Sequence, residues 1–167
     1  MDEVDRILAA WRVEAPDLDT EPLEILSRVT RLARHLDLAR RDTFARHELD
    51  VWEFDVLAAL RREGPPYELS PGRLIHQTLS TSGTMTNRID RLEGRELVER
   101  DRNPDDRRGV RVRLTATGRE RVERALADLL AYERAVLAAL EASDRRSVAT
   151  SLRRLLSFFE DAADNNP

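Results

Sequence analysis

The chain has 167 residues, a length that predicts one domain with its own hydrophobic core. It has no cysteine, which excludes disulfides and thiolate metal sites, and no apolar run approaches the ~18 residues of a membrane span. The net charge of -4 argues against a nucleic-acid binder, but residues 70–125 contain more Arg than Asp plus Glu, which favours a local contact with a polyanion.

The first half of the chain predicts a series of helices. Residues 2–13 form a short amphipathic helix that begins with acidic residues and ends before Pro16. Residues 21–47 repeat apolar side chains at helical spacing for more than six turns, and residues 49–62 form the next helix, which ends at Gly64 and two prolines. Ser70 then caps a short helix whose first residue is Pro71.

The segment from Ser80 to Gly118 predicts a helix followed by a β-hairpin. Thr81 or Ser82 caps a helix that ends near Gly94. Residues 97–102 and 110–114 alternate apolar and charged side chains, as half-buried strands do, and the turn between them contains Asn103, Pro104, Asp105 and Gly109. This order of elements is that of a winged helix-turn-helix.

Residues 119–163 predict two more amphipathic helices, at 119–140 and 144–162. Their apolar stripes, together with that of residues 21–47, exceed what one small core can cover, so we expect a helical dimer interface. The predicted fold is therefore mainly α with a small β wing, in which the winged helix-turn-helix of residues 49–118 is flanked by N- and C-terminal dimerisation helices.

The helix after Ser80 separates two faces when its residues are placed at 100° intervals. Met85, Ile89 and Leu92 share the apolar face, and Arg88 lies at the boundary. The opposite face carries Thr, Ser, Asn and Arg side chains; Arg pairs with guanine and Asn with adenine in the major groove. The residues expected to contact DNA from this helix are Ser82, Thr84, Thr86, Asn87 and Arg91.

The turn of the hairpin concentrates arginine. Arg107 and Arg108 stand beside two aspartates, and two guanidinium groups on a narrow hairpin fit a minor groove or its phosphates. Arg111 and Arg113 on the second strand are further candidates for phosphate contacts. Ser70 and Arg73 are placed to contact the DNA backbone near the preceding helix.

The wing carries a family resemblance. Asp106, Arg108, Leu114, Thr115 and Gly118 match the wing signature of the MarR family of bacterial transcription regulators, and the helix lengths fit along nearly the whole chain. The resemblance implies a homodimer that binds double-stranded DNA at a pseudo-palindromic operator, with half-sites about 34 Å apart, and that usually represses transcription. We expect the protein to be cytoplasmic, because the N-terminal residues are too acidic for a signal peptide.

The chain also resembles the urate-responsive subgroup of that family, which has an extra N-terminal helix with a Trp. The resemblance implies a ligand site made of Trp11, Asp55, Arg62 and Arg88. Asp55 and Arg62 are seven residues apart on one helix face, and two guanidinium groups, a carboxylate and an indole suit a small, planar, anionic ligand. A link between Asp55 and Arg88, or ligand competition for it, is expected to shift the recognition helix.

Other functions fit the sequence less well. There is no Gly-rich phosphate loop or activated nucleophile, and the three histidines are dispersed, so we expect no catalytic residue, metal or cofactor, and no membrane partner. A different effector stays open: a phenolic acid, a lipophilic drug, aconitate or a biosynthetic intermediate.

Overall fold

The computed structural model describes residues 1–102 and 110–164. It contains seven helices in that part of the chain: α1 (Glu3–Glu14), α2 (Glu21–Ala45), α3 (Val51–Arg62), α4 (Pro71–Gln77), α5 (Ser82–Gly94), α6 (Ala116–Leu137) and α7 (Ala142–Asp164). Three short strands complete it: β1 (Glu68–Leu69), β2 (Val98–Arg102) and β3 (Val110–Leu114). None of the helices described is long and apolar enough to span a lipid bilayer.

The fold confirms the mainly helical prediction with a small β element. The strands form one antiparallel sheet in the order β1-β3-β2, with Val98 opposite Leu114 and Glu68 opposite Arg113. The sequence did not predict β1, because two residues are too short to display the alternation that marks a strand. The predicted turn residues between β2 and β3 lie outside the described residues.

The chain divides into two compact units, Met1–Leu126 and Ala127–Pro167. In the first unit α3 is the central helix, and its Val56, Leu57, Ala59 and Leu60 are fully buried. Phe54 of α3 stacks on Phe44 of α2 with ring centroids 3.9 Å apart. In the second unit, α7 exposes a row of large apolar side chains: Val148, Leu152, Leu155, Leu156, Phe158 and Phe159.

Capping residues determine where the first helices begin. Asp2 accepts a hydrogen bond from the Asp5 N–H, and Asp5 accepts one from the Asp2 N–H, which forms a capping box at the start of α1. Asp50 and Glu53 form a second box at the start of α3, so this helix begins at Val51 rather than at Leu49. The N-cap of α5 is Thr81, and Ser70 caps α4 as predicted.

Two sets of ion pairs join helices within the first unit. Arg28 of α2 donates to Asp2 at 2.8 Å and to Asp5 at 2.5 Å, which ties α1 to α2. Glu53 is buried, and both of its carboxylate oxygens accept hydrogen bonds from Arg95, at 2.7 and 2.6 Å. Because Arg95 follows α5 directly, this ion pair joins the end of α5 to the core helix α3.

Candidate DNA-binding surface and ligand site

Helix α5 presents one polar, exposed face. Met85, Ile89 and Leu92 are buried, as the helical periodicity predicts, and they hold α5 on the core of the first unit. The five residues of α5 that are predicted to contact DNA are all exposed: Ser82, Thr84, Thr86, Asn87 and Arg91. They are hydroxyl, amide and guanidinium groups, which can donate to base edges and phosphates in a major groove.

A groove of about 670 Å³ brings together Ser70, Arg73 and Arg111, which the sequence predicts as contacts to the DNA backbone. Arg73 donates to both carboxylate oxygens of Glu63, at 2.8 and 3.1 Å. Arg111 pairs with Glu68 of β1, and hydrogen bonds from Arg111 and then Arg113 hold the pKa of Glu68 below its ordinary value. A phosphate that binds here must therefore compete with carboxylates for both guanidinium groups.

Arg113 lies among carboxylates on the sheet. It pairs with Glu68 at 3.2 Å, Glu99 at 3.4 Å and Asp101 at 2.9 Å, and these contacts join all three strands. The predicted contact of Arg113 with phosphate must therefore compete with three nearby acidic groups for the guanidinium. Arg107 and Arg108, predicted at the tip of the wing, lie outside the described residues.

An open cavity of about 470 Å³ lies beside the start of α3. It is lined by Arg41, Asp50, Val51, Trp52, Asp55, Thr78 and Arg88. Two residues predicted for a ligand, Asp55 and Arg88, thus line one cavity, although they are far apart in sequence. Arg88 is half-buried and donates to Ser80 Oγ at 3.2 Å, which confirms its predicted position at the boundary of the helix.

The charge of Asp55 is set by burial and by arginines. Burial raises the pKa of Asp55 above its ordinary value, and the positive charges of Arg40, Arg88 and Arg62 act in the opposite direction. Its ion pair is with Arg40, at 3.1 Å. The sequence-based expectation of a direct link between Asp55 and Arg88 is thereby corrected: helix α2 supplies the pairing guanidinium, and Arg88 acts on Asp55 only through its charge.

Comparison with known proteins identifies the family. A family model described as MarR family matches residues 47–109. The HTH-type transcriptional regulator PecS of Dickeya dadantii is 35% identical over 164 residues, which span 98% of this chain and 96% of PecS. The chain belongs to the MarR family.

Solved MarR-family structures share the fold. AbsC of Streptomyces coelicolor superimposes with a TM-score of 0.73 at 20% identity, over 86% of this chain and 98% of AbsC. BpsR of Bordetella bronchiseptica superimposes with a TM-score of 0.59 at 27% identity, over 77% of this chain and 98% of BpsR. The BpsR structure concerns regulation of its DNA binding by 6-hydroxynicotinic acid.

Two residues predicted for the ligand site of this MarR-family chain do not line the cavity. Trp11 lies on α1 with 45% of its surface exposed. Arg62 opposes the rise in the pKa of Asp55 through its charge but does not line the cavity. The indole at the cavity is that of Trp52, which the sequence analysis missed. Its place at the start of an apolar helix resembled that of an ordinary core residue.

Proposed function

We propose that this MarR-family chain is a transcription repressor that binds a pseudo-palindromic operator as a homodimer and is released from it by a small anion such as urate. The exposed polar face of α5 enters the major groove, and the groove of Ser70, Arg73 and Arg111 receives the DNA backbone. The wing arginines Arg107 and Arg108 extend the contact to the minor groove.

The observation that carries this proposal is the position of Arg88. It lines the cavity together with Asp55, and it belongs to the same helix that exposes Asn87 and Arg91. A ligand that binds Arg88 therefore acts directly on the helix that contacts DNA. Such a ligand favours release only if it binds the DNA-free arrangement of α5 more tightly than the DNA-bound one.

The lining of the cavity indicates the chemistry of the ligand. Arg41 and Arg88 bind anionic oxygens, whereas the carboxylate of Asp55 accepts hydrogen bonds from N–H groups. Urate offers both kinds of group on one planar ring, and Trp52 provides an aromatic face for stacking. Trp11 and Arg62 remain proposed as ligand residues that complete the site from outside the cavity wall.

A second effector class is a hydroxylated heterocyclic acid. It is favoured by the likeness to BpsR, whose DNA binding is regulated by 6-hydroxynicotinic acid, a compound with a carboxylate for arginine and a ring N–H or hydroxyl for Asp55. A phenolic acid offers only its hydroxyl as a donor to Asp55, and fully ionised aconitate offers no donor to this carboxylate.

The proposal of a homodimer rests on exposed apolar side chains. Helix α2 exposes Ile25, Leu26, Val29, Leu32 and Leu38, and α7 exposes the apolar row described above. Single chains rarely leave so many large apolar groups in water. Obligate homodimers bury roughly 2,000–5,000 Å² of such surface in total, and these helices supply candidates for that interface.

A mobility-shift titration tests the DNA contact. A duplex is first selected from random sequence with the unmodified chain, and its affinity is then compared among variants. We expect Arg91→Ala to weaken binding by about tenfold, the usual cost of losing a base-contacting arginine. The matched control Arg6→Ala removes the same charge from α1 and keeps the affinity. Equal affinities for Arg91→Ala and the unmodified chain would contradict the assigned face.

A further inference from the structure

The indole of Trp52 lies against two arginines of α5: one lines the cavity and the other is on the exposed face. The guanidinium of Arg91 stands 4.8 Å from the centroid of the Trp52 ring, and that of Arg88 stands 5.4 Å from it. Both distances fall within the ~6 Å at which a cation is attracted to an aromatic face. One ring therefore contacts both a cavity residue and a residue of the exposed face.

Asp50 reinforces the contact with Arg91. The Trp52 indole N–H donates to Asp50 Oδ2 at 3.2 Å, and Arg91 Nη2 stands 3.5 Å from the same oxygen. Asp50 is itself fixed, because its backbone N–H donates to the buried Glu53 at the start of α3. Arg91 is thus held by a ring and a carboxylate that both belong to the capped beginning of the core helix.

We propose that Trp52 is a positioning residue, which orients Arg91 for DNA and makes that orientation depend on Arg88. The proposal rests on the proposed function, since it takes Arg91 as a DNA contact. An exposed arginine has many rotamers, and a cation–π contact together with an ion pair reduces them before DNA arrives, so less entropy is lost on binding.

The dependence on Arg88 follows from the shared ring. Two guanidinium groups of like charge compete for one aromatic face and repel each other. When Arg88 moves away to bind an anion in the cavity, the ring acts on Arg91 alone, so the strength with which Trp52 orients Arg91 depends on whether the cavity is occupied. Occupation of the cavity thereby changes one DNA contact without any displacement of α5 as a whole.

A double-mutant cycle tests the positioning role. Affinities for the selected duplex are measured for the unmodified chain, Trp52→Leu, Arg91→Ala and the double variant. We expect Trp52→Leu to weaken binding by about two- to fivefold, as the loss of one cation–π contact predicts, and to have no further effect when Arg91 is already Ala. Trp52→Phe, which keeps an aromatic face, restores at least half of the loss.

The outcomes distinguish failure of the positioning role from failure of the proposed function. Additive losses, or Trp52→Phe behaving like Trp52→Leu, overturn the positioning role even if DNA binding is confirmed. Failure of the unmodified chain to select any duplex overturns the proposed function and this inference with it. Because a general folding defect from Trp52→Leu also weakens the Arg91→Ala chain, the absence of a further loss there distinguishes positioning from a purely structural role.

The same cycle repeated with Arg88→Gln tests the link to the cavity. Removing one of the two competing cations is expected to strengthen the coupling between Trp52 and Arg91 by about twofold, because the ring then acts on Arg91 alone. A coupling that is unchanged or smaller with Arg88→Gln overturns the dependence on the cavity residue.

Discussion

Gly118 offers the most direct test of how α6 is fixed to the sheet. A Cβ added at this position would stand 2.1 Å from the Leu97 carbonyl oxygen and 2.9 Å from Leu114 Cδ1. Ordinary C···O contacts are about 3.3 Å, so the backbone must separate by roughly 1 Å. The movement also stretches the hydrogen bonds that Thr115 Oγ1 donates to the carbonyls of Glu96 and Leu97, at 2.8 and 3.1 Å.

We therefore expect Gly118→Ala to lower the free energy of unfolding by about 3 kcal/mol, at the upper end of the usual cost of overpacking. Urea denaturation followed by circular dichroism measures this difference. The control is Gly83→Ala on α5, where an added Cβ meets nothing within 4 Å and the higher helix propensity of alanine raises stability by about 0.5 kcal/mol. Equal stability of Gly118→Ala and the unmodified chain would refute the close packing of α6 on Leu97.

Three further predictions concern charged groups. Glu53→Ala is expected to cost about 3 kcal/mol in urea denaturation, the lower end for a broken buried ion pair, because the side chain of Arg95 is 33% exposed; a cost below about 1 kcal/mol would contradict it. Because burial raises the pKa of Asp55, its ionised form opposes folding above that pKa, so Asp55→Asn gains stability over the unmodified chain at pH 7 and the gain shrinks towards pH 4; a gain that grows on acidification would refute this sign. The hydrogen bond from Arg28 is the largest cause that lowers the pKa of Asp2 from 3.8 to about 2, so the stability this contact adds is present above pH 3.8 and is lost towards pH 2. Asp2→Asn, which keeps a capping side chain, should lack this loss, and an identical acid profile for both chains would count against it.

The amphipathic faces could be predicted from sequence because they depend on local periodicity. Met85, Ile89 and Leu92 recur at helical spacing, and the structure confirms them as the buried side of α5. Arg88 was assigned to the boundary by the same construction. These positions follow from the 100° rotation per residue of any α-helix, whatever the helix packs against.

The contacts between elements could not be predicted in this way. Asp55 pairs with Arg40 across two helices, and Trp52 contacts arginines more than thirty positions further along the chain. No local pattern specifies which of many arginines meets a given carboxylate or ring. Strand β1 could not be predicted for a related reason: its two residues are a strand only because β3 lies beside them.

The sequence around Trp52 contains a signal for its position. It follows the N-cap Asp50 and precedes Asp55 by less than one turn, so its side chain lies at the same end of α3 as both carboxylates. An aromatic residue flanked by acidic groups at a helix start differs from one inside an apolar stripe. The resemblance to the urate-responsive subgroup predicts Trp11 instead.

In the proposed function, the cavity of Asp55 and Arg88 controls DNA binding. This control is tested most directly by titrating urate, xanthine, 6-hydroxynicotinic acid, aconitate and salicylate into the complex of the unmodified chain with its selected duplex, and into the complexes of Arg88→Gln and Asp55→Asn. The concentration of anion that releases each variant is corrected for that variant's own affinity for the duplex. We predict that urate or another N–H-bearing anion releases the unmodified chain and that both substitutions raise the required concentration by at least about tenfold, the cost of one lost charge-assisted hydrogen bond. Release that is unaffected by either substitution, or no release by any of the five anions, would contradict the account.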